Sequence, residues 1–276
     1  MRFKTGALLL MVVLVSLSCA KENLIKRGDT LPVAYKKAMG LYQDGDYSNA
    51  AEAFETVISI GRGTQYGEEA QFYLAESYFN DRRFLLAASE YERYSALFPR
   101  SSKRQEADFK EAYCYYRMSP RYQLDQGYTR TAIEKFQLYN SRYPDSDKVQ
   151  EAAGYIDQLR SKLAHKTYAA ADLYLRTDQY EAAIIYYDLV ISQYPESAWA
   201  EQALVNQIST YVEYADNSIS ARQQERYQQA VKSYETYLQL FPEGKHRSQA
   251  EKYVDDARVA LAALRNSTDT TAATTN

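Results

Sequence analysis

Four alanines in this chain are each followed, twelve residues on, by a proline: Ala87/Pro99, Ala132/Pro144, Ala183/Pro195 and Ala230/Pro242. Four residues after each alanine stands an aromatic, Tyr91, Phe136, Tyr187 or Tyr234. A fifth copy, Ala50 with Phe54, carries Arg62 where the proline would fall. Spacing this regular marks a stack of similar units, each burying its apolar face on its neighbours. Tyr47, Phe84, Thr129, Tyr180 and Tyr227 stand three before these alanines. Offsets of three, four and seven place all of them on one helical stripe. Alanine on that stripe lets a paired helix come close, the aromatic one turn later fills the wider space, and proline ends the helix.

A second helix per unit is also legible. Ala38, Ala75 and Ala171 stand twelve before Ala50, Ala87 and Ala183, with Leu41, Tyr78 and Tyr174 three later. Small residues facing each other at this spacing are what an antiparallel helix hairpin requires. In the first unit the spacing predicts a helix from Pro32 to Gln43, a turn at Asp44-Gly45-Asp46 and a helix from Tyr47 to Ile60. Pro32 suits a first helical turn, and Gly45 suits the left-handed residue that closes a helix. Ten glycines and six prolines leave few breakers in the rest of the chain. Over 32–244 the pattern resembles the tetratricopeptide repeat. That resemblance implies an all-α, right-handed superhelical solenoid of about five hairpins.

Two units carry insertions. Ala112 is twenty before Ala132, with the extra residues in 117–128, and Ala203 is 27 before Ala230, with 217–224 between. Both are expected to be loops, and loops that interrupt an array are more often functional than accidental. Lys245 to Arg265 reads as a helix capping the array. The Thr/Ala-rich residues 266–276 read as a disordered tail. The expected division is a signal peptide at 1–18, a linker at 19–31, repeats one to three at 32–144, and repeats four and five with the cap at 145–265.

The N-terminus is a targeting segment. Arg2 and Lys4 precede an apolar run from Ala7 to Leu17, too short to be a comfortable permanent span. It ends in Leu17-Ser18-Cys19-Ala20, which resembles the lipobox of bacterial lipoproteins; Ser16 departs from the leucine preferred there. The resemblance implies acylation of Cys19, each buried methylene contributing about 0.8 kcal/mol to anchoring. The alternative is an ordinary signal peptide in which Cys19 is incidental. Removing residues 1–18 takes away Arg2 and Lys4 and moves the net charge from −3 to −5. Such a chain is expected to stand off an anionic membrane on its tether. Ala20 in place of an aspartate implies, by resemblance to lipoprotein sorting, the outer membrane.

Catalytic patterns are poor. His165 and His246 lie in different units, with no companion at metal-ligand spacing, so neither a metal nor another cofactor is expected. Near-neutral charge argues against nucleic acid as a partner. Cys114 sits in a predicted helix without a second cysteine to pair with, and is expected to be a buried structural thiol. The 28 tyrosines are the better lead. Counted from the first-helix alanines, an inner groove would be lined by Tyr35, Met39 and Tyr42, then Phe72, Glu76 and Phe79, then Phe109, Tyr113 and Tyr116. Tyr168, Asp172 and Leu175 hold the same places in repeat four. Rings with polar tips suit an apolar, aromatic-bearing peptide; the competing possibility is that they pack between repeats.

Repeats three and four carry a more specific likeness. Leu124-Asp125-Gln126, then Thr129, Ala132 and Phe136, then Arg142-Tyr143-Pro144-Asp145-Ser146, Leu159-Arg160 and Leu163-Ala164 follow in order. With the lipobox-like start and five repeats, this resembles the BamD family, the lipoproteins of the outer-membrane β-barrel assembly machinery. The resemblance implies a non-enzymatic scaffold, lipid-anchored on the periplasmic side of the outer membrane. Its partners would be unfolded β-barrel proteins on the N-terminal repeats, a BamA-like barrel on the C-terminal ones, and other lipoproteins of the complex. Arg222, Arg226 and Arg247 are candidates for the BamA-like contact. A periplasmic coordinator of cell-envelope or division proteins is the alternative.

Overall fold

The computed structural model describes residues 24–274, with side chains to Asn266. The expected signal peptide and Cys19 lie outside the described residues. Among the described residues eleven helices follow one another: α1 (Leu31–Gln43), α2 (Tyr47–Ile60), α3 (Gln65–Asn80), α4 (Phe84–Leu97), α5 (Arg104–Met118), α6 (Gly127–Arg142), α7 (Val149–Arg176), α8 (Tyr180–Gln193), α9 (Ala198–Asp216), α10 (Ser220–Leu240) and α11 (Arg247–Thr274). No strand occurs among the described residues. The paired helices of a repeat pack on each other, α1 on α2, α3 on α4, α5 on α6 and α9 on α10, and α11 packs on α10 and α9 as the cap. The chain is therefore an all-α array of tetratricopeptide-type hairpins, as the alanine spacing required. All five repeat alanines are fully buried, and so are Phe54, Tyr91, Phe136 and Tyr187.

The chain divides into two compact units. The first holds the residues up to Pro120 together with Gly127–Ile156; the second holds Arg121–Gln126 and everything from Asp157 on.

In the first unit the Asp44-Gly45-Asp46 turn forms as expected. Gly45 has φ +79°, and Asp46 N–H reaches back to the Leu41 carbonyl at 2.9 Å. Arg82 in this unit and Asp178 in the second occupy the same place five before the repeat alanine, at φ 62° and 58°. Their successors bond back identically, Arg83 N–H to Tyr78 O and Gln179 N–H to Tyr174 O, both at 2.9 Å. Pro99, Pro144, Pro195 and Pro242 each stand two residues beyond the last residue of α4, α6, α8 and α10. Phe98 and Tyr143, and in the second unit Tyr194 and Phe241, close the last turn by donating to the carbonyl four residues back. Proline then prevents any continuation.

In the second unit, residues 121–126 are held against α7. Lys166 Nζ donates to the carbonyls of Tyr122 (3.2 Å), Gln123 (3.4 Å) and Leu124 (3.0 Å). The Tyr122 ring lies 3.8 Å from that of His165, which stacks at 4.0 Å on Trp199. The other expected loop is not one. Only Asn217–Ile219 separates α9 from α10, because the added residues lengthen those two helices to 19 and 21 residues. The last helix buries Val254 and Ala257 with Leu204, Ile208 and Tyr234, closing that end of the core. It runs on to Thr274, where the sequence predicts a tail without structure.

Candidate functional site

The first helices of the first unit meet their successors through a contact that recurs at a separation of 34 residues. Tyr35 OH donates to Glu69 at 2.5 Å, Tyr42 OH to Glu76 at 3.4 Å, Lys110 to Glu76, and Arg142 to Asp108 at 2.5 Å. Tyr35, Tyr42 and Lys110 are thus joined to the neighbouring hairpin, whereas Arg142 and Asp108 tie α6 to α5 within one hairpin. Burial and these carboxylates hold the Tyr35 phenol well above its usual range and push Tyr42 up to about 12, burial being the larger cause in both.

This ladder decides which predicted groove residues remain accessible. Phe72, Glu76 and Phe109 do not: they are 4%, 7% and 5% exposed. Phe72 packs edge-on to Tyr91 and Tyr94, with Lys103 Nζ 4.5 Å from its ring centre. Phe109 packs likewise on Phe136 and Tyr139, beneath Lys148. Phe72 and Phe109, three residues before Ala75 and Ala112, thus meet their own second helices and are core, not groove wall. Tyr35, Met39, Tyr42, Phe79, Tyr113 and Tyr116 are half-buried.

Glu76 belongs to a second pattern, which the sequence analysis missed. It stands one residue after Ala75 and accepts the hydroxyl of Tyr91, the buried repeat aromatic. In the second unit Asp172 stands one after Ala171 and accepts from Tyr187 OH at 2.6 Å. Where the repeat aromatic is phenylalanine, no acceptor is needed. Met39 then holds that place with Phe54, and Tyr113 with Phe136. A buried hydroxyl without a partner costs about 1–3 kcal/mol, so Tyr91 and Tyr187 each call for the carboxylate; in repeat five Leu204 holds that place, and Tyr234 has no acceptor there. The Tyr/Phe alternation in the repeats was the available signal.

What remains accessible in the first unit is a shelf of half-buried rings at the C-terminal ends of α3 and α5. Phe79 contacts Phe84 (5.6 Å between ring centres) and Tyr113 (6.0 Å). Tyr113 stacks on Tyr116 at 5.7 Å, and Tyr116 meets Tyr155 at 4.4 Å. The Arg117 guanidinium lies 4.7 Å from the Phe84 ring centre and 5.8 Å from that of Tyr113. Phe84, Arg117 and Tyr155 join the predicted residues here. Tyr155 lies outside the repeat pattern and gave no signal. Such a surface offers flat apolar area and a cation, suited to extended aromatic-bearing segments.

Reactive chemistry is absent from it. Burial raises the Cys114 thiol to about 12, which leaves it protonated and inert. No group of His, Cys, Asp or Glu able to hold a metal occurs among the described residues. In the second unit the three arginines separate. Arg222 pairs with Glu225 at 3.0 Å and Arg247 with Glu251 at 2.9 Å, all exposed or nearly so. Arg226 is half-buried, its guanidinium 3.4 Å from the Tyr214 ring centre and bonded to Ser218, so it serves the fold and is not a free contact.

Comparison with known proteins gives a family. Residues 29–224 match the model described as YfiO, outer membrane lipoprotein. The chain is 21% identical over 202 residues to the outer membrane protein assembly factor BamD of Caulobacter vibrioides, across 73% of this chain and 66% of that protein. It is 25% identical over 187 residues to BamD of Vibrio cholerae serotype O1, across 64% and 78%. The match thus spans just under two thirds of the Caulobacter protein. Among solved structures the P58(IPK) TPR domain is 15% identical over 84% of this chain and 66% of that one, with a TM-score of 0.40.

Proposed function

The chain belongs to the YfiO family of outer membrane lipoproteins, and from that membership we propose that it is a non-catalytic scaffold for outer-membrane protein assembly. Its first unit binds unfolded β-barrel segments on the ring shelf of Phe79, Tyr113 and Tyr116. Its second unit contacts a BamA-like barrel protein and other lipoproteins of the complex, with Arg222 and Arg247 as exposed cations for that contact. The observation that carries the substrate reading is the half-exposed cluster itself. Tyrosines give large contact area at low entropic cost, and a patch of rings this continuous is unusual unless a partner covers it.

Phe79→Ser with Tyr116→Ser is expected to lower affinity for labelled C-terminal peptides of barrel proteins by about tenfold or more, with circular dichroism unchanged. Unaltered affinity in the folded variant would reject the shelf.

Attachment is proposed through acylated Cys19. Among the described residues no helix is long and apolar enough to cross a membrane. Cys19→Ser is expected to move the protein into the soluble periplasmic fraction, and continued sedimentation with membranes would show another anchor.

A further inference from the structure

A crevice of about 400 Å³ lies in the first unit where α2 gives way to α3, against the end of α4. None of the predicted groove residues lines it. It exists because the first repeat ends differently from the others. Eleven residues after the repeat alanine stand Phe98, Tyr143, Tyr194 and Phe241, but in the first repeat Gly61. A Cβ at Gly61 would come within 2.8 Å of Leu31, so no larger residue fits there without displacing it. The connection is Gly61-Arg62-Gly63-Thr64, with Gly63 at φ +79° and no neighbour beside its Cα. The tight turn brings Arg62 to one side of the crevice, while α4 supplies Arg93 and Leu97 and its cap supplies Phe98. Ile58 completes the apolar wall.

Two features define what this space can take. Leu97 is 56% exposed and faces it with Ile58 and Phe98, a lining that favours one large apolar side chain. Arg62 and Arg93 are both exposed and, among the described residues, neither side chain forms an ion pair or hydrogen bond. Elsewhere in the unit Lys110, Lys135 and Arg142 are each paired with a carboxylate. The nearby acids are already engaged: Glu90 accepts from Gln71 beneath the crevice at 2.6 Å, and Glu68 from Tyr94 at 3.1 Å. Two unpaired guanidiniums beside an apolar wall complement a carboxylate next to an apolar anchor.

We propose that this crevice docks a protein segment that inserts one aromatic side chain flanked by acidic residues. The site is separate from the ring shelf and does not depend on the substrate assigned to it. The volume suits a single anchoring side chain better than a helix or an acyl chain.

The test uses the mature full-length chain in detergent and an end-blocked fluorescent peptide, Gly-Ser-Glu-Phe-Glu-Ser-Gly. The chain is expected to bind it. Arg62→Gln with Arg93→Gln should weaken binding about tenfold or more at unchanged melting temperature, because both side chains are exposed and unpaired. Replacing both glutamates of the peptide by glutamine, or its phenylalanine by alanine, should produce a similar loss. The shelf variant Phe79→Ser/Tyr116→Ser should bind the probe like the wild type, which separates this site from the substrate surface. Phosphatidylglycerol mixed into the micelles should not displace the peptide. The proposal is overturned if the probe does not bind, if the arginine variant binds it equally well, or if the arginines matter only for the lipid.

Discussion

Glu76 in the first unit and Asp172 in the second hold the same place in their repeats, yet their surroundings differ in charge. Each accepts the hydroxyl of the tyrosine fifteen residues on, Tyr91 or Tyr187. One repeat length further, the first unit supplies Lys110, whose ammonium pairs with Glu76. The second supplies Asn206, which donates to Tyr168 OH at 2.6 Å and Tyr187 OH at 3.4 Å and leaves the carboxylate without a cation. The hydroxyl–carboxylate pair is therefore shared by the second and fourth repeats, while the neutralising charge is a local choice.

The broadest test of the shared requirement is alkaline pH. Burial first, with neighbouring carboxylates adding to it in most cases, pushes Tyr42 and Tyr78 in the first unit and Tyr168 and Tyr227 in the second up to about 12. Tyr91 and Tyr187 are raised for the same reasons. Folded phenols keep their protons to higher pH than unfolded ones, which lose them near pH 10. Their contribution to stability is whole below about pH 10 and is lost as pH rises toward 12. The melting temperature is expected to hold to about pH 9.5 and then fall steeply, with phenolate absorbance lagging until the chain unfolds. Uniform titration of the native protein near pH 10 would contradict the buried hydroxyl network.

The difference between the two sites is tested by removing each carboxylate. Glu76→Ala orphans the Tyr91 hydroxyl and takes from Lys110 its buried partner, leaving Glu106 at 3.3 Å, and is expected to cost about 2–4 kcal/mol in urea unfolding; Lys110 is partly exposed, which softens the loss. Asp172→Ala orphans hydroxyl and no cation, for about 1–2 kcal/mol. Equal losses would mean the ion pair adds nothing. The pair Glu76→Met with Tyr91→Phe copies the arrangement of Met39 and Phe54, and leaves Lys110 with Glu106 at 3.3 Å. It should recover more than half of the Glu76→Ala deficit.

How far the sequence reached follows from the same residues. The Ala/aromatic/proline spacing located the hairpins, because close approach, filled space and chain reversal each admit few residue types. Phe72 and Phe109 were placed on an open wall because single-helix periodicity assigns a face but not what covers it. The segment 217–224 was expected to loop because spacing counts residues without saying whether they coil. The fifteen extra residues between Ala203 and Ala230 make about four helical turns, and whole turns keep the stripe aligned. Helical periodicity puts Glu76 and Asp172 on the groove wall, and only the Tyr/Phe alternation fifteen residues on marks them as partners of a buried hydroxyl. The arginines of the crevice lay beyond any periodic pattern, although the missing proline at Arg62 flagged that repeat as different.

The smallest expected effect lies in the turns, where the units again solve one problem with different residues. Gly45, Arg82 and Asp178 share a left-handed conformation and the same backbone bonds. Glycine adopts it freely, whereas a side chain there costs roughly 1 kcal/mol through its Cβ. Aspartate tolerates it better than arginine. Against this, glycine gives the unfolded chain more freedom, which returns part of the gain. Arg82→Gly is expected to stabilise by about 0.5 kcal/mol, and Asp178→Gly by less. Gly45→Ala should destabilise by about 1 kcal/mol. Denaturation midpoints of the three variants rank the turns directly. If Asp178→Gly gained more than Arg82→Gly, conformational strain would not be what distinguishes them, and the side-chain bond from Tyr180 OH to Asp178 at 3.4 Å would also have to be discarded as a stabilising contact.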